Sequence, residues 1–132
     1  MTNSIAEISG ASTIFAIGTN TTQAHPVLAL QAKKAAREGA NLIVANPKEI
    51  DLCRHATIHL QHRPGTDVAL VMGMIKVIVD AGLADMDFIS SRCENYDGFD
   101  DSLKEFDLAT AEKITGVPGE LISKAAKMYA GE

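Results

Sequence analysis

The chain has 132 residues, 46% hydrophobic and 22% charged, with a formal charge of −5, which describes one globular domain able to bury a core without disulfides or structural metal. The acidic balance argues against non-specific nucleic-acid binding, and no apolar run is long enough for a membrane span. The opening MTNSIAEISG has no basic stretch ahead of an apolar one, so no signal peptide is expected, and Cys53 and Cys93 form no CxxC pair and read as reduced thiols of a cytoplasmic protein.

Thr13–Ile17 (TIFAI) is a short apolar, β-branched run suited to a strand buried on both faces. It arrives with little chain before it, which suits a piece of a larger protein or oligomer. Gly18 ends the run, and a polar loop to His25 follows. Pro26 is placed as the first residue of a helix to about Glu38, with Lys33, Lys34 and Arg37 late and Gly39 as the stop. Leu28, Ala32, Ala35, Ala36 and Gly39 recur at helical spacing and give a small-residue face that can lie close on a sheet. Asn41–Ala45 (NLIVA) is a second buried strand. Strand, helix and strand in about 33 residues is the size of a right-handed parallel crossover.

The loop NPKEID and a short helical or irregular piece around Leu52–His55 lead to a third, less buried strand, Ala56–Leu60. After QHRPG, Thr66 is placed to cap a helix that begins at Asp67 and runs to about Ala81. Only Lys76 and Asp80 interrupt its apolar surface after Asp67, so it is expected to be buried on most sides. The chain has trouble covering such a helix, which again points to a larger parent or to homo-oligomerisation through this helix. Four further helices are expected over 85–93, 98–106, 108–114 and 118–130, the last with Leu121, Ile122, Ala125, Ala126 and Tyr129 as its apolar stripe.

The fold class is therefore α/β: a Rossmann-like three-layer domain with a short parallel sheet, followed by a helical flank. Residues 1–66 form the β-α-β nucleotide-binding part and residues 67–132 the mainly helical part. Charge follows this division. The first part carries six Lys/Arg and four Asp/Glu, a balance of +2, and all four histidines; the second carries six and thirteen, a balance of −7.

Ligands of open parallel sheets bind beyond the carboxyl ends of the strands. Three loops fall there: 18–25, 46–51 and 61–66. They offer Gly18 for a tight turn, neutral donors and acceptors from Thr19 to Gln23, two helix N-termini, and Lys48, His62 and Arg63 as charges for a phosphate. GxGxxG and GxxxxGK[ST] are both absent, which disfavours an NAD-dependent dehydrogenase domain and a P-loop ATPase. His55 and His59 lack a third ligand and an HExxH pattern, so zinc is not expected; His59 and His62 read as packing or hydrogen-bonding residues. No spacing singles out a nucleophile–base pair. The residues offer a binding site without a catalyst.

IGTNTTQAHP (17–26), NLIVANPKEIDLCRHA (41–56), HLQHRPGTDVAL (59–70) and ITGVPGELISKAAKMYA (114–130) resemble the molybdopterin-guanine-dinucleotide oxidoreductases, in particular the catalytic alpha subunit of formate dehydrogenases. The resemblance implies one domain of a much longer subunit. That subunit oxidises formate to carbon dioxide on a molybdenum or tungsten bis-MGD cofactor, passes electrons through a 4Fe-4S cluster, and works with electron-transfer subunits. The metal-ligating cysteine or selenocysteine and the cluster lie outside this piece, so the isolated fragment is expected to be inactive.

By motif, Gly18, Thr19, Asn20, Gln23 and His25 match the loop along the dinucleotide. Asn46, Pro47 and Lys48 match a segment usually written Asp-Pro-Arg at the guanosine end, and Arg63, Pro64, Gly65, Thr66 and Asp67 complete that pocket. The departures are Asn46, which has one acceptor oxygen where aspartate has two, and Lys48, which lacks the planar fork of arginine. They imply either weaker guanine selectivity or a shift of that work to Asp67 and backbone groups. Nitrate reductases share the module, and a stand-alone, non-catalytic nucleotide-binding or interaction domain is a further alternative.

Overall fold

The computed structural model describes residues 4–104 and 106–131. Three strands, β1 (Thr13–Ile17), β2 (Asn41–Ala45) and β3 (Ile58–Leu60), form one parallel sheet in the order β1-β2-β3. Thr13 pairs with Asn41 and Ile17 with Ala45 across the first ladder, and Ile43 pairs with Ile58 across the second. The third strand is shorter than expected, three ladder residues where five alternate in the sequence, because the chain reaches it from a 3-10 turn (Asp51–His55) ending at Ala56.

Alternation along the strands divides the core into two layers. Ile43, Ala45, Ile58 and Leu60, with Phe15 and Ile17 beside them, pack against α3 (Asp67–Asp80), α6 (Leu108–Thr115) and α7 (Gly119–Ala130) through Leu70, Met74, Ala111, Ile122, Ala125 and Ala126. Leu42 and Val44, with Ile14 and Ala16, pack on the other face against α2 (Pro26–Arg37) and the 3-10 turn, through Ala32 and Leu52. This is the three-layer arrangement expected of an open α/β sheet. Ala29, Ala32 and Ala35 are the buried face of α2, and their small side chains let the helix lie close on the sheet. Gly39, at φ +106, follows its last turn.

Two elements differ from the expectation for the amino-terminal part. A 3-10 helix, Ile5–Gly10, precedes β1 and packs on α2, with Ile8 against the core, where the sequence shows no periodicity long enough to read. The loop after β1 contains a four-residue helix, α1 (Thr21–Ala24), whose amides at Gln23 and Ala24 donate to the Asn20 carbonyl. Threonines are poor helix formers, and this turn forms because it runs directly into α2.

In the second part, α4 (Met86–Arg92) and α5 (Tyr96–Lys104) are shifted slightly from the expected spans; position 105 of the expected 98–106 helix lies outside the described residues. Asp85 caps α4 by accepting from the Phe88 amide, and Asp107 caps α6 by accepting from that of Thr110. The apolar helix is covered only in part by this chain, in line with the expectation that the chain has trouble covering it. Within this chain α3 buries Leu70, Gly73 and Met74, most of its other residues are half-buried, and Val68 is 77% exposed. One face suffices for α6 and α7, which meet it from the sheet side. Gly73 marks the closest approach: a Cβ there would lie 2.7 Å from the Cβ of Ala111.

Candidate functional site

The carboxyl ends of the three strands bring the three expected loops to one edge, tied by direct bonds. Gly18, at φ +61, donates its N–H to the Ala45 carbonyl, so the chain leaves β1 in a left-handed turn that favours glycine. Asn46 joins all three loops. Its amide donates to the Leu60 carbonyl, its side-chain Nδ2 donates to the Thr19 carbonyl at 3.3 Å, and its carbonyl accepts from His59 Nε2 at 3.1 Å. Its Oδ1 accepts from the Lys48 amide at 2.9 Å and so shapes the turn through Pro47. Gln61 Nε2 donates to the Pro47 carbonyl and ties the third loop to the second. Asparagine thus serves here as loop glue, using both ends of its amide where an aspartate has no donor.

Arg63–Thr66 is a Pro-Gly turn in which Thr66 donates its amide to the Arg63 carbonyl and Gly65 takes φ +79. Thr66 does not cap α3 with its side chain, as its sequence position suggests; Oγ1 donates instead to the Arg63 carbonyl at 2.7 Å. The turn carries Asp67 back over the end of β3, where His62 Nε2 lies 3.0 Å from Asp67 Oδ1. A Cβ on Gly18 would sit 3.8 Å from that same oxygen. The first and third loops therefore meet at Gly18 and Asp67.

Two of the three expected phosphate charges are withdrawn from the edge. His62 is 2% exposed and is held between Asp67 and the Leu60 carbonyl, so it supports the site from beneath. Arg63 sends Nη1 to the carbonyls of Lys113, at 2.8 Å, and Ile114, at 3.3 Å, closing the last turn of α6. Its backbone amide donates to the Thr115 carbonyl beside them. Lys48 stays exposed at the turn after β2.

Asn20 Nδ2 donates to Gln23 Oε1, and Gln23, His25 and Pro64 are exposed. The hydroxyls of Thr21 and Thr22 are buried with no hydrogen-bond partner among the described residues. The edge thus combines a carboxylate paired with a histidine, an exposed cation and helix-end amides. The buried pairing of His62 with Asp67 goes beyond what the sequence reading found; its signal is the Pro-Gly turn, which folds residues 62 and 67 together.

An apolar cavity lies elsewhere. A groove of about 650 Å³ runs between α3, α4, α5 and the end of α7, with walls that include Ile75, Ile78, Ile89, Phe99 and Tyr129. None of the carboxyl-edge residues lines it.

A parallel α/β sheet with a polar, glycine-turned carboxyl edge places these loops where open α/β folds receive ligands. The molybdopterin oxidoreductase family model matches residues 1–127, and the chain belongs to that family. It is 40% identical over 129 residues to an F420-dependent formate dehydrogenase subunit alpha of Methanocaldococcus jannaschii, covering 98% of this chain and 19% of that one. It is 35% identical to formate dehydrogenase H of Escherichia coli, with 98% and 18% covered, and 33% identical to the assimilatory nitrate reductase catalytic subunit of Bacillus subtilis, with 100% and 19% covered. Acetylene hydratase from Pelobacter acetylenicus superimposes with a TM-score of 0.85 at 29% identity, over 97% of this chain and 19% of that one. The chain thus spans about a fifth of the length of the relatives it matches.

Proposed function

We propose that this chain is a cofactor-binding domain of a formate dehydrogenase catalytic subunit and that its carboxyl edge holds the guanosine diphosphate end of a molybdopterin guanine dinucleotide. The observation that carries the reading is the meeting of Gly18, Asn46 and Asp67 at one edge, in a chain whose relatives include formate dehydrogenases of 35–40% identity. An ionised carboxylate accepts from the N1–H and exocyclic amine of guanine, which suits Asp67. The same charge repels a phosphate, so the diphosphate falls to Lys48, to helix-end amides and to the loop hydroxyls. Gly18, Thr19, Asn20, Gln23 and His25 would lie along the dinucleotide, and Pro47, Pro64, Gly65 and Thr66 would shape the guanosine end. Arg63 and His62 act on the site only by holding its walls.

Bound in the full subunit, the molybdenum or tungsten cofactor supplies the two-electron redox chemistry, with 4Fe-4S centres as the electron outlet. This chain's own residues bind and orient. The rest of the catalytic subunit and its electron-transfer subunits are the partners on this reading, and the domain alone turns over no formate. The similarity to a nitrate reductase subunit supports a second assignment within the same module, with another bis-MGD oxidoreductase as parent.

Calorimetric titration with GDP and GMP tests the site. Binding that weakens in Lys48→Ala and Asp67→Ala, and is stronger for GDP than for GMP, is expected. No heat at millimolar nucleotide, with both variants indistinguishable from the unmutated chain, would overturn the reading.

A further inference from the structure

The hydrogen-bond inventory around His62 assigns it a role that phosphate binding does not cover. Its side chain is fully buried, and each ring nitrogen faces an oxygen that only accepts. Nδ1 lies 3.3 Å from the carbonyl of Leu60, and Nε2 lies 3.0 Å from Oδ1 of Asp67. A neutral imidazole carries one N–H and satisfies one of these contacts, leaving the other nitrogen's lone pair against an oxygen. The shorter contact is to the charged acceptor, which makes Asp67 the stronger claimant for that proton and places it on Nε2. Asp67 is the charged side chain recorded in contact with His62 among the described residues. The neighbouring Arg63 guanidinium is turned to the carbonyls of Lys113 and Ile114. The Asp67 side chain is itself 46% exposed, so one end of the pair is anchored in the core and the other reaches the edge.

We infer that His62 is the positioning residue of the site: it donates Nε2–H to Oδ1 of Asp67, holds that carboxylate beside Gly18, and leaves Oδ2 to accept from the N–H groups of a ligand. The inference deepens the guanosine reading and rests on it for the identity of the ligand, but the pairing itself is a property of the free chain. Asn46 strengthens the assignment. Its amide is engaged at both ends with Thr19 and Lys48, so Asn46 is not free to take up a base, while the Asp67 carboxylate lies beside Gly18. A carboxylate at the head of a helix has several rotamers open to it, and a donor fixed in the core selects one. Base selectivity then depends on a buried residue that touches no ligand.

The test has two arms. In the first, nitrogen-15 spectra of the histidine rings of the free chain are recorded with and without Asp67→Asn. The expected result is a proton on His62 Nε2, hydrogen-bonded to Asp67, whose nitrogen-15 shift moves in the variant. A His62 whose Nε2 carries no proton, or whose ring shifts do not respond to Asp67→Asn, overturns the proposal, whatever the chain binds. In the second arm, GDP and IDP are titrated into the unmutated chain, His62→Gln and His62→Leu, with thermal unfolding as the check on folding. IDP lacks the exocyclic amine, so the ratio of the two affinities reports the carboxylate's contact with the base and not general stability. Loss of about tenfold in that ratio is expected for His62→Leu, with recovery in His62→Gln, which keeps a donor. A ratio equal in all three chains contradicts the positioning role. If the unmutated chain binds neither nucleotide while the first arm gives the Nε2–H bonded to Asp67, the guanosine reading fails and the pairing stands.

Discussion

The helices that lie on the sheet and the helices that close the groove are built from similar sequence and end in different environments. In α6 and α7, Ala111, Ile122, Ala125 and Ala126 are fully buried against the strands and α3. In α4 no residue is buried and in α5 only Leu103 is, while Met86 and Phe88 are more than half exposed. Apolar residues at helical spacing therefore do not by themselves decide burial; what decides it is whether the topology brings a facing surface. α3 stands between the two regions, with Leu70, Gly73 and Met74 buried and Ile75, Ile78 and Val79 forming one wall of the groove.

The comparison breaks most directly at Leu60, which is 0% exposed, set against Phe88, which is 57% exposed. Leu60→Ala is expected to cost about 2–5 kcal/mol, and Phe88→Ala to fall within about 0.5 kcal/mol of neutral, both read by urea unfolding. Equal losses would mean that α4 is held as firmly as the sheet. Gly73→Val forces a side chain against the Ala111 Cβ, and overpacking of that kind costs about 1–3 kcal/mol in the same assay. Arg63→Ala removes the bonds that close α6 and is expected to cost about 1 kcal/mol, with faster amide exchange around Gly116, whose amide belongs to the same helix end.

Smaller still is the acid dependence of α6. Hydrogen bonds from Thr110 hold the Asp107 carboxyl below its ordinary value of 3.8. A group whose pKa is depressed on folding adds stability above its unfolded value and loses it as pH falls through the folded one. A small loss of stability below about pH 4, absent in Asp107→Asn, is therefore expected from unfolding curves at stepped pH. Lys33 acts likewise on Asp51, whose carboxyl it holds low through a 2.6 Å contact, so the loss of stability below about pH 4 should shrink in Lys33→Met.

Much of this architecture is legible in the residues. NLIVA becomes a buried parallel strand between two helical layers, as its residues lead one to expect; TIFAI is a strand too, but at the sheet edge it is half-buried along its length and not buried on both faces. Pro26 opens α2 and Gly39 follows its end, as their backbone preferences require. The short turns were not legible. Ile5–Gly10 and Thr21–Ala24 are too brief for a period to show, and they depend on packing against α2.

Within the site, periodicity and motif bring the three loops to one edge, and the structure ties them there through Asn46. The roles of individual side chains were less accessible. Arg63 and His62 are ordinary candidates for an anion until their partners are seen, because a guanidinium that closes a helix 50 residues away leaves no local signal. Thr66 fails as a cap for a local reason, its hydroxyl being satisfied inside the Pro-Gly turn.

The central claim, that the carboxyl edge and not the apolar groove receives the nucleotide, is tested most directly by amide chemical-shift mapping during titration with GDP. The account predicts saturable shifts at Gly18, Asn46, Lys48 and Gly65–Val68, with Ile89, Tyr96 and Phe99 in the groove unmoved. Shifts confined to the groove, or no saturable shift at the edge at millimolar GDP, would contradict it.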